Sequence, residues 1–213
     1  MTDDSLSDED ADSLEEILAT SCVMSQFEKT PHLFLPQRKF EAIVTREIIR
    51  STLYGESDSE DEALINYFVN DARKLFAITV LTGLSMPEYL IQAMCLFKDR
   101  GFSDDDLPIE DLLSVENEQT SANRKPVDLS THTLGGIGEP WTSARIHTFY
   151  HEQWKLLAPV FSMDEANDDL GIHTIPFIAK NEEVCEGSFG YVRRYRIHSD
   201  HIQGSTKAND QGV

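Results

Sequence analysis

Apolar side chains recur at helical spacing through much of the chain. Phe40, Ile43, Val44 and Ile48 predict a helix from about Arg38 to Leu53, ended by the acidic loop "GESDSEDE". Leu64, Ile65, Phe68, Ala72, Leu75, Phe76 and Thr79 predict a second helix from about Glu60 to Leu81, with Gly83 as its stop. A third begins almost at once. Ser85 is placed to cap it, Glu88 stands three residues on as the reciprocal partner, and Pro87 suits its first turn. Tyr89, Leu90, Ala93, Met94 and Phe97 form its buried face, and Gly101 ends it. Short connections allow these helices to bury their stripes on one another, so the methionine and aromatic positions read as core. Leu14, Ile17, Leu18 and Ser21 support no more than a short amphipathic turn, and Pro31 and Pro36 keep "TPHLFLPQRKF" extended.

Helical spacing returns in "WTSARIHTFYHEQWKLLAPVF", at Trp141, Ile146, Tyr150, Trp154 and Leu157, and runs until Pro159. The period then shortens to two. Ile175, Phe177 and Ala179 alternate before a turn, and Val192, Tyr195 and Ile197 follow it, which predicts a β-hairpin. Residues 114–140 are polar and punctuated by Gly and Pro, as in a linker. "LGGIGEP" within them lacks the GxGxxG spacing and a preceding strand, so it is a turn. The pattern as a whole predicts a mainly α chain. It divides into an acidic, largely disordered tail (1–34), a helical module (35–113), the linker, a helix with a C-terminal hairpin (141–201), and a polar, disordered tail (202–213).

Composition narrows the setting. Thirty-eight acidic against 18 basic residues give the 213-residue chain a formal charge of −20. Such a surface repels nucleic acid and anionic membrane and favours a basic protein partner. Cys22, Cys95 and Cys185 are far apart and odd in number, which argues against a disulfide framework and for a reducing compartment. The N-terminus is acidic where a targeting signal would be basic, and no run of 18 apolar residues occurs. Cytosol or nucleus is the expected location.

Spacing and chemistry converge in "VCEGSFGYV", residues 184–192. A protein-kinase nucleotide loop reads GxGxxGxV on a hairpin. Its glycines let backbone N–H groups approach the phosphates, and its valine covers the base. Gly187, Gly190 and Val192 occupy the second glycine, the third glycine and the valine, with Ser188 and Phe189 at the tip. Cys185 stands where the first glycine would be. On so short a match, a glycine-bearing hairpin turn is the competing reading.

The neighbouring segments extend the match. "EQWKLLAPVF" precedes "IPFIAKNEEVCEGSFGYVRRYRIHSDH", and "DARKLFAITVLTG" and "GFSDDDLPIE" lie upstream. In this order they resemble a family of fungal protein-kinase-like proteins, over about residues 35–112 and 141–201. The resemblance implies that the hairpin opens a kinase N-lobe. Gly187, Ser188, Phe189, Gly190 and Val192 would then be its nucleotide-binding positions, and ATP with Mg²⁺ the cofactor of the full-length family.

Phosphoryl transfer also requires a strand lysine, a catalytic-loop aspartate and a metal-binding Asp-Phe-Gly. Neither HRD, DFG nor APE occurs, and the flanks of Lys207 in "GSTKAND" lack the apolar residues of a strand lysine. The chain is therefore expected to be the N-terminal part of a serine/threonine kinase-like protein, with no catalytic residues and no activity alone. The alternative is an acidic helical interaction module that binds no nucleotide.

The remaining candidates are weaker. His147 and His151 lie four apart on a predicted helix, but without a third ligand or HExxH they read as surface histidines, and no metal site is assigned. His198, Asp200 and His201 are equally loose as ligands, and the resemblance implies that they belong to a turn. Ser5, Ser7, Ser57, Ser59 and Ser103 each precede an acidic residue by three positions, a pattern shared by acid-directed phosphorylation sites and by solvated acidic loops.

Overall fold

The computed structural model describes residues 13–27, 32–55, 61–109, 140–162, 174–187 and 190–203. Their elements are α1 (Leu14–Thr20), β1 (Val23–Met24), β2 (Leu33–Phe34), α2 (Gln37–Ile43), α3 (Arg46–Tyr54), α4 (Glu62–Asn70), α5 (Arg73–Leu81), α6 (Pro87–Asp99), α7 (Ser143–Leu156), β3 (Phe161–Ser162), β4 (Phe177–Gly187), β5 (Gly190–Ile197) and β6 (Ile202–Gln203). The fold is mainly α with a C-terminal hairpin, as the periodicity predicts. The strands pair as three separate two-stranded sheets: β1 with β2 and β4 with β5 antiparallel, β3 with β6 parallel. Among the described residues no helix is long and apolar enough to cross a membrane.

The helix α5 lies at the centre. Every residue from Leu75 to Leu81 is buried, as befits a helix that is apolar all round, and α1, α4, α6 and α7 pack on it. Phe97 of α6 joins this core to the chain on either side. Its ring lies 6.1 Å from Phe102, 5.5 Å from Trp141 and 5.9 Å from Phe149.

Two helices predicted as continuous are each divided, because side chains distant in sequence take the backbone groups that would have continued them. Between α4 and α5, Asp104 acts as a remote cap. Its carboxylate accepts the Lys74 and Leu75 N–H groups at 2.8 and 2.9 Å, and its own N–H donates to the Asp71 carbonyl at 2.7 Å. Between α2 and α3, Arg73 donates to the Val44 and Glu41 carbonyls at 2.6 and 3.0 Å, while the Thr45 hydroxyl caps α3 at Ile48. Such caps replace the intrahelical bonds that every helix end lacks.

Other boundaries also shift. Met86, not Ser85, is the N-cap of α6, and no side chain caps it; Pro87 occupies the first turn as predicted. Gly83 and Gly101 follow their helices with φ of 79° and 69°, the left-handed conformation that suits glycine at a helix end. In α7 the buried residues are Ile146, Phe149, Gln153 and Leu156, so the inward face is displaced from the Tyr150–Trp154–Leu157 stripe.

Among the described residues the buried core crosses two of the predicted boundaries. Residues 13–27 and 32–34, within the span read as a tail, form ordered structure. Ser13 and Glu16 form a reciprocal capping box that starts α1, while Leu18 and Phe34 are fully buried. The helix α7 is not part of a separate unit, since Trp141, Ile146, Phe149 and Leu156 share the core of the upstream helices. The tail assigned to 202–213 begins with β6, whose Ile202 and Gln203 pair with Phe161 and Ser162. The remainder of that tail, residues 204–213, falls outside the described residues, as do residues 1–12 and the linker up to Glu139.

Candidate functional site: an anchored glycine hairpin

Gly187 and Gly190, the glycines of the GxxGxV match, lie at the end of the hairpin. Gly187 pairs with Gly190, Cys185 with Val192 and Glu186 with Tyr191, so the strands remain in register up to the tip. Ser188 and Phe189 lie outside the described residues, and the Val192 side chain is likewise not described. The register slips between Lys180 and Val184, where β4 carries more residues than β5. A bulge of this kind bends and twists a ribbon locally.

A two-stranded ribbon alone is marginal in water. This one is held at its base by the segment predicted to be tail. The Gln26 N–H donates to the Phe177 carbonyl at 2.7 Å, and the Ser25 hydroxyl donates to the Ile175 carbonyl at 2.6 Å. Phe177 and Tyr195 stack across the strands at 4.8 Å, and Phe27 meets both rings edge-on at 5.4 and 5.6 Å. On the other side the His198 N–H donates to the Pro176 carbonyl at 2.9 Å.

The turn after the hairpin supplies a second anchor. His201 is 1% exposed and lies edge-on to Phe34 of β2. Its Nδ1 is 3.0 Å from the Pro159 carbonyl, which can only accept, so Nδ1 carries the hydrogen. Nε2 is buried without a partner. Asp200 of the same turn approaches Arg38 of α2 at 3.8 Å, with the arginine largely exposed, so that pair adds little.

Burial holds the His201 imidazole below its ordinary value of 6.5. His198 nearby acts in the same direction, and the Pro159 carbonyl and Asp200 oppose it. A depressed histidine favours the neutral form, so its contribution to stability is intact above 6.5 and is lost as pH falls below it. The urea midpoint is accordingly expected to drop on acidification below 6.5, and the drop to be smaller in His201→Leu. Equal pH profiles for the two proteins would remove His201 as the cause.

Ser103 is engaged rather than free: its hydroxyl forms a reciprocal turn cap with Asp105 and Asp106. Ser5, Ser7, Ser57 and Ser59 fall outside the described residues, as does Lys207. His147 and His151 are exposed on α7 with their Nε2 atoms 3.1 Å apart. Among the described residues no group of three or more His, Cys, Asp or Glu is placed to hold a metal ion.

Sequence reasoning missed Ser25, Gln26, Phe27 and Phe34 as supports of the hairpin. The apolar run Leu33-Phe34-Leu35 was the available signal, masked by flanking prolines and an acidic N-terminal composition. No protein-family model, curated protein or solved structure matches the chain.

Proposed function

We propose that the chain is the N-terminal part of a serine/threonine protein-kinase-like protein, in which the β4–β5 hairpin is the lid over ATP phosphates and the helices are its platform. The observation that carries this reading is the register of the tip. Gly187 faces Gly190 across a hairpin whose next pair is Cys185 and Val192. The two glycines thus face each other at the end of the paired strands, and a glycine N–H can meet a phosphate without a Cβ of its own in the way. The anchoring of its base supports the same reading, because a lid must be held in place to act on a bound ligand.

Residues 1–213 carry the lid but not the strand lysine or the metal-binding Asp-Phe-Gly. MgATP is therefore expected to bind weakly, at about 1 mM, near −4 kcal/mol. A ¹⁵N NMR titration with MgATP should move the amides of residues 185–192 in fast exchange. The shifts should vanish in the Gly187→Val/Gly190→Val double variant, whose β-branched side chains fill the approach. Undisturbed hairpin amides at several times that concentration (about 10 mM) would sink the proposal.

The alternative, an acidic helical interaction module, has one specific observation in its favour. Met24 and Leu33, paired across β1 and β2, are 49% and 37% exposed, an apolar pair open to solvent on an acidic protein. It becomes the preferred reading if MgATP leaves the hairpin unchanged.

A further inference from the structure

The histidines of α7 have a sequence spacing that could hold zinc but read as surface residues for want of a third ligand; their geometry is that of a chelate. His147 and His151 are one turn apart, both exposed, with ring centroids 4.3 Å apart and Nε2 atoms only 3.1 Å apart. The nitrogens are nearer than the ring centres, so the Nε2 corners converge, with the two ring planes tilted 60° to each other. Tyr150 sets its ring edge-on to His151 at 5.5 Å, which limits the directions that imidazole can take. On the opposite side of the helix, Ile146, Phe149 and Gln153 are buried in the core, so the backbone under the pair is held rigid.

We infer that His147 and His151 form a two-point clasp for a borderline-soft divalent transition-metal ion such as Zn²⁺, Ni²⁺ or Cu²⁺. With metal–nitrogen distances of about 2.0–2.1 Å, a 3.1 Å separation of the nitrogens subtends about 95–100° at the ion. That angle lies between the cis angle of square-planar or octahedral ions and the tetrahedral angle, so all three ions fit. Water fills the remaining positions, as is usual where the protein supplies only part of the ligand set.

The 3.1 Å contact between the two Nε2 atoms is hydrogen-bond distance when one of the rings carries its hydrogen on Nε2. On ligation that ring carries its hydrogen on Nδ1 instead, and both Nε2 lone pairs face the ion. Imidazolium cannot ligate, so acid competes with the metal. Because the ion spans a helical turn that exists only in the folded chain, binding stabilises the native state. Hard ions with oxygen preference, Mg²⁺ and Ca²⁺, should neither occupy the clasp nor compete for it, despite the acidic surface.

Zn²⁺ titrated into the whole chain by calorimetry, with excess Mg²⁺ present to occupy carboxylates, should give one site. Substoichiometric Ni²⁺ should broaden the amides around residues 147–151 before any others. His147→Ala and His151→Ala, both on the exposed face, should keep the far-ultraviolet spectrum of the parent. Each should weaken Zn²⁺ binding by about tenfold or more, since either change turns an intramolecular second contact into none. Equal Zn²⁺ affinity in parent and variants would overturn the clasp, as would loss of affinity in only one variant or displacement of Zn²⁺ by Mg²⁺.

Discussion

Phe97→Ala is expected to destabilise the protein by about 3–5 kcal/mol, the range for removing a fully buried ring. Phe97 is 0% exposed, and its ring meets those of Phe102, Trp141 and Phe149 together. Its ring therefore holds α6, the turn that follows it, and the entrance to α7 around a single centre. Removing it leaves a void walled by three aromatic rings, which are too stiff to collapse into it; cavities that relax poorly give the upper end of the range. Phe97→Leu keeps much of the volume and should lose less than half as much. Urea unfolding followed by tryptophan fluorescence measures both, with Trp141 reporting from the cluster itself. A loss below about 1 kcal/mol for alanine would mean that the aromatic cluster is not packed as described.

The extent to which this fold was legible follows from which interactions are local. The apolar periods of α6 and α7 and the alternation in β4 and β5 are local, and the corresponding elements stand where the pattern puts them. The glycines after α5 and α6 were legible for the same reason, since a left-handed residue at a helix end needs no knowledge of the rest of the chain. The breaks inside the two long predicted helices were not. Each depends on a side chain far away in sequence, Asp104 for α5 and Arg73 for α2, and periodicity alone cannot report a partner.

Composition was the misleading signal at the N-terminus. The acidic residues that suggest a solvated tail also include Glu16, which completes the α1 capping box, and the burial of Leu18 and Phe34 outweighs the charge around them. At the candidate site the order was reversed. The glycine motif was visible in the sequence, but the pieces that hold it, Ser25 to the Ile175 carbonyl and His201 to the Pro159 carbonyl, span 150 and 42 residues. No spacing rule connects them.

The second large effect is expected at Gln153, in the segment "EQW" whose aromatic residue attracts attention first. Its side chain is wholly buried and grips one backbone unit from both sides. Oε1 accepts the Ile109 N–H at 2.9 Å, while Nε2 donates to the Ile109 carbonyl at 2.9 Å and to the Tyr150 carbonyl at 3.1 Å. Ile109 belongs to no helix or strand, so this amide replaces the partners a ladder would have supplied. Gln153→Leu keeps the volume and deletes every bond, orphaning a buried donor and acceptor at about 1–3 kcal/mol each. The net loss should be about 2–4 kcal/mol, because the added apolar surface offsets part of it.

Gln153→Glu separates this account from simple packing. The carboxylate still accepts from Ile109 N–H, but it loses both donors and places a charge against the Ile109 carbonyl in a site without solvent. At neutral pH it should be less stable than Gln153→Leu. Burial and that carbonyl favour the protonated acid, which regains a donor, so its folded value is raised above the unfolded one. A carboxyl shifted upward gains stability relative to its reference as pH falls towards the unfolded value. The difference between the Glu and Leu variants should therefore shrink on acidification. The acid loss at His201 is common to both and cancels in the comparison. Parallel pH profiles of the two variants would show that residue 153 does not face the Ile109 backbone.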